Sequence, residues 1–193
     1  MREITFDIET KAASLVRGRL DVNQLEITVV GVHDSNDDSY IAYTVEELPK
    51  LWPVIERADA LIGYNSDAFD IPLLNRYYPG DLTRIKSIDL MVEVQKALGR
   101  RLRLQALADA TLGRGKKGDG LKAVEWWEQG LYEKVKEYCL EDVRLTRELY
   151  DYAKKHGKLQ FKELNKKRDI KLDTTAWGVV DAPHTLTHTL PLY

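Results

Sequence analysis

Between Leu131 and His156 the chain carries one helical stripe with a carboxylate set in its middle. Leu131, Val135, Tyr138, Asp142, Leu145, Leu149 and Tyr152 recur at the three- and four-residue steps of a single helix face. That face belongs against a core, and Gly157 supplies the stop expected just beyond the last turn. Asp142 lies at the centre of the stripe, one turn after Tyr138. A buried carboxylate costs several kcal/mol unless a cation or hydrogen-bond donors compensate it. An aspartate at a crevice edge, bonded to Tyr138, would explain this residue alone. It would not explain the other acidic residues that fall in similar places.

The first of these lie at the start of the chain. Ile4, Phe6 and Ile8 alternate with Thr5, Asp7 and Glu9, which is the period of a strand and puts both acids on one side. That spacing suits shared coordination of a hard divalent cation through oxygen. A polar strand side facing solvent accounts for an isolated Asp-x-Glu equally well. Asp70, in Asn65-Ser66-Asp67-Ala68-Phe69-Asp70, follows a loop and opens a helix. There it can serve the helix dipole, with Ser66 or Asp67 as the cap.

The remaining pattern gives the fold class. Strands are expected over Leu25 to His33, Tyr40 to Tyr43, Ala60 to Tyr64 and Ile85 to Asp89. Helices are expected from the capping box Thr44/Glu47 towards Arg57, interrupted at Pro53, and then from Phe69, at Leu90 to Leu98 and at Leu104 to Leu112. Gly113 to Gly120 reads as a flexible basic loop, and Leu159, Phe161, Ile170 and Leu172 as a hairpin about Asn165. Three strands followed by strand and helix in alternation give an α/β protein with a mixed sheet. The expected division is a domain over 1–157, a hairpin appendage over 158–180, and a tail over 181–193 with little pattern.

A net charge of -2 argues against coating nucleic acid by overall electrostatics. Contact with nucleic acid would need local patches such as Arg100, Arg101, Arg103, Arg114, Lys116 and Lys117, whose other reading is a solvated face. Cys139 is the single cysteine, which excludes an intrachain disulfide or a cysteine-rich zinc site. No basic-then-apolar leader and no apolar run of membrane-spanning length is visible, so a cytoplasmic protein is expected.

Taken in order, three stretches resemble the three motifs of the DEDD 3′–5′ exonuclease superfamily. They are Phe6-Asp7-Ile8-Glu9-Thr10, then Gly63-Tyr64-Asn65 with Phe69-Asp70-Ile71-Pro72-Leu73-Leu74, then Tyr138-Cys139-Leu140-Glu141-Asp142. The chain is similar to the proofreading exonuclease domain of family B DNA polymerases and to stand-alone predicted exonucleases related to it. The resemblance implies an RNase H-like fold, with a five-stranded mixed sheet flanked by helices. It makes Asp7, Glu9, Asp70 and Asp142 carboxylates of a two-metal site for Mg²⁺ or Mn²⁺, with Asp70 free to act through bound water. Tyr138 marks the tyrosine branch, in which the phenol orients the attacking water; the histidine branch needs His at 137, where this chain has Glu137.

The implied reaction is hydrolysis at the 3′ end of a single strand, DNA favoured over RNA, releasing nucleoside 5′-monophosphates. Thr10, Asn65 and Phe69 are candidates for holding the terminal nucleotide, and Lys116 and Lys117 for clamping the backbone. Phe69 has a plainer role available beneath the following helix, as Trp126 and Trp127 have in anchoring a short one. The chain leaves no room for polymerase palm and fingers, so a polymerase or helicase partner would act in trans. Two competing expectations are an inactive nucleic-acid-binding module on the same fold and an RNase H-like endonuclease.

Overall fold

The computed structural model describes residues 1–11, 15, 16, 19, 20, 24–114, 121–164 and 166–179. Its centre is strand β1, Glu3–Thr10. A two-residue ribbon follows, β2 (Leu15–Val16) against β3 (Arg19–Leu20). Strands β4 (Ile27–Asp34), β5 (Ser39–Thr44), β6 (Ala60–Gly63) and β7 (Lys86–Asp89) complete a five-stranded sheet in the order β5-β4-β1-β6-β7. The β1–β4 and β4–β5 pairs are antiparallel, while β1–β6 and β6–β7 are parallel. This is the mixed sheet expected from the strand pattern, in the five-stranded form that the resemblance implies.

Helices α1 (Leu48–Ile55), α2 (Asp70–Leu74), α3 (Leu90–Leu98), α4 (Leu104–Leu112), α5 (Leu121–Glu128) and α6 (Tyr132–His156) flank the sheet. Ile4, Phe6 and Ile8 share an apolar core with Leu51 and Ile55 of α1 and Ile71 and Leu74 of α2. On the other side Ile62 and Ile88 meet Leu107 of α4 and Leu145 and Leu149 of α6. The odd-numbered side of β1 is therefore no solvent face. Glu3 and Thr5 are buried, because α6 lies across that side of the sheet.

Strand β1 has two neighbours along only part of its length. Its pairing with β6 runs from Glu3/Ala60 to Thr5/Ile62, whereas its pairing with β4 continues to Thr10, with a register shift after Glu9. The stretch from Asp7 onward thus leaves a crevice on the β6 side. Ligands of open α/β sheets lodge where neighbouring strands diverge in this way.

The C-terminal hairpin, β8 (Lys158–Glu163) with β9 (Lys166–Lys171), shares the core of α4 and α6 through Leu159, Phe161 and Ile170. Gly157, at φ 64, ends α6 and donates its N–H to the carbonyl of Ala153 at 2.7 Å. The short helix expected about Trp126 and Trp127 is α5, whose bounds periodicity alone did not give. Residues 115–120 and the tail from 180 lie outside the described residues. No helix among the described residues is long and apolar enough to cross a membrane.

Candidate active site

Two elements bring three carboxylates together. Alternation along β1 turns Asp7 and Glu9 to the side that α6 covers, and the helical stripe turns Asp142 down towards them. Each of the three offers an oxygen, and these oxygens lie within 4.8 Å of one another. Asp142 is buried, while Asp7 and Glu9 are half-buried. Burial, and then the charges of Asp142, Glu9 and Asp70, push the Asp7 carboxyl well above the usual carboxylate range. An all-oxygen donor set under mutual repulsion fits a hard divalent cation, and among the described residues it is the one group of three or more such ligands.

The close approach of α6 has a specific cause. Cys139, fully buried, sits over the β1–β4 pair Asp7/Gly31. Its Sγ accepts the Gly31 N–H at 3.1 Å and donates to the main-chain oxygen of Asp7 at 3.3 Å. Burial raises the thiol far above its usual range, so it keeps the proton it donates. A Cβ on Gly31 would stand 2.8 Å from that sulfur and 3.1 Å from Val143. Only glycine allows the helix so near. Tyr138 is buried on the same helix face, with Trp126 of α5 edge-on to its ring at 5.9 Å.

Asp70 stands beside the triad rather than in it. Its charge reaches Asp7, and its carboxylate takes the backbone N–H of Ile8 on the side of β1 that β6 has vacated. Burial pushes Asp70 up to about 7; its own N–H and that of Ile8 resist, and the charge of Asp89 adds. Neither Ser66 nor Asp67 caps α2: Phe69 holds the cap position, and no side chain bonds there. Asp67 instead accepts the Ser87 hydroxyl at 2.5 Å.

The loop that carries Asp70 is held from a residue the sequence reading did not single out. Asp89, buried at the end of β7, accepts the N–H groups of Asn65 (2.8 Å), Asp67 (3.1 Å) and Met91 (2.9 Å). One side chain thus caps α3 and fixes the loop before α2. Burial raises its pKa against the N–H bonds from Asn65, Asp67 and Val92. The cap was legible as an aspartate before an apolar helical run; the bond to a loop more than twenty residues earlier was not. Asn65 holds φ 66, a left-handed conformation that Asn tolerates better than most residues.

Asp7, Asn65 and Asp142 line one crevice of about 360 Å³ with Tyr64, Met91, Gln105 and the Arg101–Leu104 segment. The other sequence candidates fall elsewhere. Thr10 ends β1 at the register shift, and Phe69 packs against the α1–α2 core. Lys116 and Lys117 lie outside the described residues. Trp126 and Trp127 are half-buried against the Val29, Val135 and Cys139 cluster.

Comparison with known proteins agrees with this frame. Over 79% of its length the chain superposes on a family B DNA polymerase from the hyperthermophilic archaeon Pyrobaculum calidifontis, with a TM-score of 0.61 and 20% identity. It spans 24% of that polymerase, and at such identity the likeness is one of fold. No curated protein sequence matches it. The RNase_H superfamily model matches residues 4–154, covering all four candidate carboxylates and both strands that diverge at the crevice: the chain belongs to the RNase_H superfamily.

Proposed function

We propose that the protein is a metal-dependent 3′–5′ exonuclease that removes nucleoside 5′-monophosphates from single-stranded nucleic acid, DNA in preference to RNA. The observation that carries this reading is the meeting of Asp7, Glu9 and Asp142 at the open end of β1. Superfamily membership fits a nuclease, and the order of the three motifs supports the exonuclease branch. Two Mg²⁺ or Mn²⁺ ions, when bound, supply the positive charge that offsets the phosphodiester and both its entering and departing oxygens. Asp7, Glu9 and Asp142 would hold them, with Asp70 assisting through water. Tyr138, its ring braced by Trp126, orients the attacking water by its hydroxyl. Asn65 and Thr10 are assigned to the terminal nucleotide; Phe69, packed in the core, is the weakest of the proposed contacts. A polymerase or helicase would be met in trans.

A 5′-labelled single strand, offered with a free and with a blocked 3′ end, tests this directly. With Mg²⁺ or Mn²⁺ the free end should give a ladder of products shortened one nucleotide at a time, and the blocked end none. Internal cuts on both substrates would identify an endonuclease. No cutting of DNA or RNA with either metal would leave a binding module.

A further inference from the structure

The crevice wall facing the carboxylates is the connection between α3 and α4. Gly99, at φ 78, ends α3, and the Tyr64 hydroxyl donates to the carbonyl of Leu102 at 2.7 Å. Leu102 packs against the apolar cluster beneath α4 and α6. Arg101 and Arg103, on either side of it, are exposed, and both line the crevice that holds Asp7 and Asp142. Arg101 Nε donates to Gln95 Oε1 at 3.0 Å. The neighbouring Arg100 and Arg114 are paired with Glu163 and Glu148. Among the described residues no carboxylate pairs with Arg101 or Arg103, although an acidic cluster borders the same crevice.

A strand whose end enters that crevice brings a row of phosphates towards a wall of carboxylates. Repulsion would turn it away unless fixed cations line the approach. A guanidinium presents paired N–H donors that match phosphate oxygens. The Tyr64–Leu102 bond holds this pair on a fixed segment, so little freedom is lost when a strand engages it. We infer that Arg101 and Arg103 are the backbone clamp of the site, holding the phosphates of a single strand whose 3′ end lies at Asp7 and Asp142. This rests on the nuclease reading for the position of the end, while the clamp itself is a statement about binding.

The test uses a 5′-fluorescein single-stranded DNA 12-mer, its binding followed by anisotropy in Ca²⁺ between about 50 and 200 mM salt, a range in which phosphate contacts weaken steeply. Each phosphate contact on a single strand contributes about 0.7 to the slope of log affinity against log salt. Arg101→Ala/Arg103→Ala should therefore lower the slope by about 1.4 and weaken binding roughly tenfold or more at the lowest salt. Arg101→Lys/Arg103→Lys should restore the slope, and Lys50→Ala on α1 should change nothing. The melting curve of the double alanine variant checks that the fold persists. An unchanged slope in that variant overturns the clamp and leaves the arginines as counter-charges to the acids. Arginine-dependent binding without release of mononucleotides in Mg²⁺ or Mn²⁺ overturns the exonuclease reading and keeps the clamp. Absence of binding by the unaltered protein overturns both.

Discussion

Strand β1 meets helix α6 at both of its ends, and the two meetings have opposite electrostatics. At the start of the strand Glu3 is buried among cations and donors from the helix: Arg147 at 2.9 Å, Lys154 at 2.7 Å and the Tyr150 hydroxyl at 2.7 Å. Burial pulls its carboxyl upward, but hydrogen bonds from Lys154, Tyr150 and Arg147 outweigh that and leave it below the usual range. Four residues later, on the same side, burial and the charges of Asp142, Glu9 and Asp70 push the Asp7 carboxyl well up, and the weak donor it meets on the helix, the Cys139 thiol, does not offset them. The helix compensates one acid and aggravates the other. A fold that can neutralise a buried carboxylate so fully at one end gathers like charges at the other, at a cost in stability that a bound cation would offset.

Removing charge should therefore do contrary things at the two ends. Asp7→Asn or Asp142→Asn should lower metal-dependent hydrolysis by at least about a hundredfold. Either should also raise the metal-free unfolding free energy in urea, by roughly 1 kcal/mol, as repulsion is relieved. A fall in metal-free stability would break the comparison.

Glu3→Ala should cost about 3 kcal/mol, since it leaves the buried Tyr150 hydroxyl without its acceptor and removes one of the two carboxylates that hold Arg147. Hydrolysis per folded molecule should persist. Mg²⁺ at a hundred times its dissociation constant should stabilise the unaltered protein by about 2.7 kcal/mol, read as a higher midpoint in urea, and the Asp7→Asn variant far less.

Gly31→Ala should cost roughly 2 kcal/mol by lifting α6 from β4. Cys139→Ala in the same chain should return part of that, because the nearest obstruction is its sulfur.

The smallest effect is one of pH. The depressed carboxyl of Glu3 contributes stability that is fully present above the ordinary glutamate value of about 4.3, and that drains away as pH falls through its folded value. Stability plotted against pH should thus rise less steeply below about 4.3 in Glu3→Gln than in the unaltered chain.

What could be read beforehand was whatever is local or periodic. The alternation of β1 placed Asp7 and Glu9 on one side, the stripe placed Asp142 inward, and Gly157 marked the stop. The mixed sheet and the hairpin followed from short strand runs. Contacts between distant elements were hidden. Nothing local in Gly31 announces a helix over a hundred residues away, and nothing in Asp89 announces the loop it ties. The apolar positions of α5 are too few for a clear period, and its Trp126 found a partner only once α6 was in place. Arg101 and Arg103 read as part of one basic run with Arg100 and Arg114. Only the fold separates the two that face the crevice from the two already paired.

A single rod serves both ends of β1, so its phase is shared. Arg147 follows Asp142 by five residues, about 7.5 Å of rise. Inserting one residue between them would swing one end by about 100° relative to the other. Such a chain must choose between anchoring Glu3 and aiming Asp142, which makes this short span the part of the molecule least open to insertion or deletion.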